Sequence, residues 1–172
     1  MNELISLNEI SQETQKEILR KNWQSHDGRW QYSMFSLLGP KIGNEQNKTI
    51  AKAVYNGGMH RLLNAFELTR ISDISTFQKV MQAALDLFHA HSDFDIKIDI
   101  TSPSSAVGIV RKCGTYDSVR KAKVEDIYDC GCFSCREGFY EAMGLNVNEK
   151  CNLCLAKGDV YCEVQITVEN WI

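Results

Sequence analysis

Proline and positive charge are both in short supply. Two prolines, Pro40 and Pro103, serve 172 residues. No low-complexity segment, internal repeat or Gly/Ser linker divides the chain, so any internal boundary must come from a change of hydrophobic period. Lys and Arg number 19 against 22 Asp and Glu, a formal net charge of -3 with the signs interspersed. That leaves no basic stripe for nucleic acid. No apolar run approaches the length of a membrane helix. The leading MNELISLNEISQETQKEILR has early acidic residues and lacks the apolar core and small-residue cleavage site of a secretory signal. G-x-S-x-G, H-E-x-x-H and a phosphate-cradling glycine loop after a strand are also missing. The expectation is a cytoplasmic protein with neither nucleic acid nor membrane as partner, outside the standard nucleotide-binding and hydrolase signatures.

What is present supports one domain over residues 1–172. Hydrophobic residues make up 44% of the chain, enough for a substantial core at this length. Up to about residue 91 the apolar period is helical. Ile10, Ile18, Leu19, Trp23, Trp30, Met34, Leu37 and Leu38 predict one long helix or two consecutive ones, closed by Gly39 and Pro40. A further helix is predicted from about Lys41 to Phe66, with Gly57-Gly58 as a kink or a close-packing point. Another starts near Ser72 or Ser75, with Phe77, Val80, Met81, Ala84, Leu85 and Phe88 on one face.

From residue 92 the period becomes two. In DFDIKIDIT, Phe94, Ile96, Ile98 and Ile100 alternate with Asp95, Lys97 and Asp99, which predicts a strand with one apolar face. Ser105 to Cys113 supplies an antiparallel partner across Ser102-Pro103-Ser104. Short helices follow around Tyr116–Lys123 and Cys132–Met143. NLCLAKGDVYCEVQITV then reads as a hairpin turning at Lys157-Gly158-Asp159. The predicted class is α+β: an N-terminal helical layer on an antiparallel sheet of about four strands.

Six of the seven cysteines follow residue 129, as Cys130, Cys132 and Cys135, then Cys151, Cys154 and Cys162. In a reducing compartment such clusters favour metal over disulfides, and the odd total argues against complete pairing. The C-x-x-C at 151 and 154, with Cys162 returning on the next strand, offers three sulfurs to one point. The earlier cluster can add a fourth, giving the tetrahedral thiolate set of a closed zinc site. An iron–sulfur cluster is the alternative, and burial as small apolar side chains is the bland one. Cys113 reads as a buried side chain at a strand end.

The segment from Cys130 onward resembles the C-terminal part of the 4-vinyl reductase domains. In those, an upstream Cys, a glycine-containing helix and a hairpin with x-x-x-C and G-D-x-x-C bind zinc beside a small-molecule pocket. The matching residues are Cys130 or Cys132, Gly138-Phe139, Cys154, Gly158-Asp159 and Cys162, with Cys151 where some aromatic-sensing relatives use Glu. Nearly the whole chain also resembles a family of uncharacterised microbial proteins through N-W-x-x-H-D-x-x-W (Asn22-Trp23, His26-Asp27, Trp30) and Y-x-C-G-C-F (Tyr128, Cys130-Gly131-Cys132-Phe133). That family is similar to the L-2-amino-thiazoline-4-carboxylic acid hydrolases. The resemblances imply a cytoplasmic sensor or carrier of a small apolar or aromatic molecule with a structural zinc. The alternatives are a hydrolase of a small sulfur heterocycle or an iron–sulfur redox protein.

Trp23, His26, Asp27 and Trp30 stand at i, i+3, i+4 and i+7, on one face of a helix. They serve either as a core stripe or as the wall of a ligand pocket, with His26 to orient the ligand or move a proton. The apolar helices are compatible with a homodimer.

Overall fold

The computed structural model describes residues 10–171. Met1 to Asn8, Glu9 and Ile172 lie outside it, and with them nearly half of the leading segment read above for a secretory signal. Four α-helices and a four-stranded antiparallel sheet make an α+β fold.

Helix α1, Gln12–Ala65, is two arms. Ser11 caps it, its Oγ accepting from the Thr14 amide at 3.1 Å. Gly39, at φ 77 and ψ 164, breaks it where the sequence predicts, and Pro40 restarts it. Glycine takes the positive φ without Cβ strain, and proline at a first helical position gives up no hydrogen bond. The chain doubles back there. A Cβ on Gly43 would lie 2.8 Å from the Phe35 ring, and further along Lys16 and Leu19 share a cleft with Arg61. Gly57 and Gly58 do not kink the second arm. Gly58 is instead a close-packing point, where an added Cβ would sit 2.8 Å from the Phe88 ring.

Helix α2, Ile74–Phe88, is capped by Asp73, whose Oδ1 accepts from the Thr76 amide at 2.8 Å. The predicted caps, Ser72 and Ser75, flank the residue that does the work; aspartate is an equally strong N-cap. Strands β1 (Phe94–Ser102), β2 (Ser105–Cys113), β3 (Val147–Leu153) and β4 (Cys162–Val168) lie in the order β1-β2-β4-β3. The Ser102-Pro103-Ser104 turn sets the first pairing, with Ser102 opposite Ser105. Between β3 and β4 the chain reverses through a short 3-10 turn, Leu155–Lys157, and Gly158 at φ 93. Helices α3 (Gly114–Ala122) and α4 (Cys132–Ala142) link the two halves of the sheet.

The core lies between sheet and helices, where Met59, Phe77, Met81, Ala84, Phe139 and Ile166 are fully enclosed. Helix α4 rests mainly on the second arm of α1. Gly138 makes that possible, since a Cβ there would fall 2.3 Å from the Lys52 carbonyl oxygen. Buried Asn44 fixes the segment before α4: its Nδ2 donates to the Pro40 and Ile127 carbonyls at 2.8 and 2.7 Å, and its Oδ1 accepts from the Asp129 amide at 3.0 Å.

Candidate functional site

A cavity of about 450 Å³ lies between the two arms of α1, the end of α2, α4 and the sheet. Its floor is the apolar face of the strands, with Ile96, Ile98, Val110, Val164 and Ile166. Gly108 in β2 helps leave it open, because a Cβ at that position meets nothing closer than Ile166 Cδ1 at 3.8 Å. A strand glycine leaves space beside the backbone that another group can enter.

The four residues singled out on the first arm, Trp23, His26, Asp27 and Trp30, all line this cavity. Helical periodicity brings them together, and the fold-back at Gly39 turns their face toward the second arm. Trp23 and Trp30 are 51% and 53% exposed, so they are not core residues. The Trp30 indole donates to His26 Nε2 at 3.0 Å, and Trp23 stacks on the imidazole with ring centres 5.4 Å apart. With Nε2 accepting, a neutral His26 carries its proton on Nδ1, 3.6 Å from Asp27 Oδ1. Partial burial lifts the Asp27 carboxyl above its ordinary range against the pull of His26.

Two further polar groups in the cavity escaped sequence reasoning. Tyr55 and His89 meet at 3.3 Å, while His89 Nδ1 lies 3.1 Å from the Leu85 carbonyl. Nδ1 therefore donates to Leu85, and Nε2 accepts from the Tyr55 hydroxyl. Burial holds the imidazole down to about 4, so it is neutral at ordinary pH. Arg136 forms a two-pronged pair with Glu149, at 2.6 and 2.9 Å, and the Tyr140 hydroxyl donates to the same carboxylate. Burial opposes the guanidinium charge and the Glu149 pair more than restores it. Only the inward phase of Glu149 in β3 hints at this pair in the sequence.

The cysteines lie in two neighbouring sets, with Cys130 near enough to Cys151 and Cys162 to act on them electrostatically. Cys130, Cys132 and Cys113 form a run of thiol hydrogen bonds. The bond from Cys132 holds the Cys113 thiol low, against burial. Cys135, pushed up to about 12 by burial, lines the cavity nearby. In the second group Cys162 accepts from the Leu155 amide at 3.3 Å and lies beside Cys154, whose amide donates to Asp159 Oδ2 at 2.7 Å. The Cys151 thiol is exposed and donates to the Leu153 carbonyl at 3.3 Å. Among the described residues no three His, Cys, Asp or Glu side chains are grouped so that they could hold a metal ion. Cys113, read from sequence as a buried side chain at a strand end, is buried at the end of β2 and adjoins the first group.

No family model and no curated protein matches the chain. Among solved structures it is similar to trafficking protein particle complex subunit 3 from Naegleria fowleri covalently bound to palmitic acid. The two share 11% identity over 94% of this chain and 99% of that one, with a TM-score of 0.58. A weaker superposition, TM-score 0.44 and 10% identity over 72% and 66% of the two chains, relates it to an H-NOX protein from S. oneidensis in the Fe(II)NO ligation state. The first likeness shows a shared fold. No helix among the described residues is long and apolar enough to cross a membrane.

Proposed function

We propose that this protein binds a small apolar or aromatic molecule between its helices and its sheet, as a sensor or carrier. The observation that carries the reading is the cavity of about 450 Å³, with an aliphatic floor and the Trp23, His26 and Trp30 group on its open side. That volume is in the range of small-molecule sites, and a few polar groups on apolar walls are what fixes a ligand's orientation. The resemblance to 4-vinyl reductase domains agrees with it. So does the similar fold of the trafficking subunit, whose structure holds palmitic acid.

A thiazoline-type hydrolase would need a nucleophile beside a free base. Here Cys113 is bonded to Cys132, His26 to Trp30, and His89 to Tyr55 and Leu85. A structural zinc held by Cys151, Cys154, Cys162 and one thiol of the earlier cluster belongs to the same proposal; it would require the Cys151 thiol to leave the Leu153 carbonyl, and the binding function does not depend on it.

Filling the cavity tests the function. Gly108→Leu places a side chain into the open space from a strand that has room for it. Calorimetric titration with toluene should show saturable binding to the natural protein and its loss in Gly108→Leu, with melting temperature kept within a few degrees. Unchanged toluene binding in a folded Gly108→Leu would refute the assignment.

A further inference from the structure

The ligand class can be narrowed by what surrounds the cavity. A second cavity, about 380 Å³, is lined by Lys16, Leu19, Arg20, Arg61, Leu87 and Phe88, and it shares Trp23, Val54 and Tyr55 with the first. The shared residues sit where the two arms of α1 face each other, so the two spaces meet end to end. Together they run from the apolar sheet floor to a mouth near the start of α1.

Charge is distributed unevenly along this path. In the inner cavity Arg136 is matched by Glu149 and Lys48 by Asp129, and the Asp27 carboxyl sits beside a neutral His26. A ligand there meets no unmatched cation. The outer cavity is lined by three cations and no carboxylate. Just outside it, Glu13 lies 3.1 Å from Arg20 and 3.7 Å from Lys16, and Glu17 lies 3.6 Å from Arg20. Three cations against two carboxylates leave one positive charge at the mouth. Arg61 makes no ion pair with a described residue, and its guanidinium lies over Gly57, where an added Cβ would be 3.6 Å from it.

We propose that the two cavities form one channel for a single-chain anionic amphiphile, its apolar tail on the sheet floor and its head group among Arg61, Lys16 and Arg20. This rests on the binding function above and names its ligand class. An apolar tail gains from leaving water along the inner walls, while one negative head balances the residual charge of the mouth. A cationic head of equal length would meet repulsion instead.

Calorimetry on the delipidated full chain with three probes of equal tail, dodecanoate, dodecanol and dodecylammonium, tests the inference. Dodecanoate should bind about fivefold tighter than dodecanol, the scale of a partly screened ion pair, and dodecylammonium weakest. Arg61→Gln combined with Lys16→Gln should remove the preference and leave dodecanol affinity unchanged. Leu19→Trp, which crowds the outer cavity alone, should weaken dodecanoate binding and keep that of toluene. Equal affinity for dodecanoate and dodecylammonium, or dodecanoate binding unchanged by Leu19→Trp, would overturn the channel while toluene binding upheld the inner cavity. Absence of toluene binding would instead strike the function itself.

Discussion

At the scale of single residues, His89 shows how burial sets chemistry. Its imidazole, ordinarily near 6.5, is held to about 4 in the fold. The unfolded chain therefore takes up a proton that the folded chain refuses as pH falls through that interval. The sign follows: the stability contribution is complete above about pH 6.5 and is lost progressively toward pH 4, on the order of 3 kcal/mol at most. Urea unfolding at pH 7.5 and 4.5 should show this loss. His89→Gln, which can still bond Tyr55 and Leu85, should show a smaller drop across the same interval. Cys154 offers a second test, on the terminal sulfurs. The zinc that the sequence leads one to expect makes a direct demand: Cys154→Ser should remove stoichiometric zinc, read by mass spectrometry. Unchanged metal content would exclude Cys154 as a ligand.

Among elements, the decisive contact is α4 against the second arm of α1. It positions Cys132, Cys135, Arg136 and Phe139 on the cavity wall, and it depends on the missing side chain of Gly138. Backbone at 2.3 Å cannot give way as a flexible side chain can. Gly138→Ala should push the helices apart and cost about 1–3 kcal/mol, the usual range for overpacking, despite the better helix propensity of alanine. Chemical denaturation measures it, and an unchanged or raised midpoint would mean that the helices do not approach this closely. Gly58, whose added Cβ would meet only the edge of the Phe88 ring, should tolerate alanine better, because a ring can rotate away.

For the whole molecule, the sequence determined more of the frame than of the site. The break at Gly39-Pro40, the change of period near residue 92, the β1–β2 turn and the alternation of β1 from Phe94 to Ile98 are local effects of proline, glycine and side-chain spacing, and each falls where the chain predicts; the alternation lapses at Ile100, which is exposed. So does the grouping of Trp23, His26, Asp27 and Trp30 on one helix face, since 3.6 residues per turn suffices to place them. Whether that face became core or cavity wall was decided only when the chain doubled back and left both tryptophans half exposed. The Tyr55–His89 bond, the Arg136–Glu149 pair and the thiol run that draws in Cys113 each join residues distant in sequence, so no local period announces them. Spacing along a strand or helix is written in the chain, whereas convergence from separate elements follows from how those elements pack.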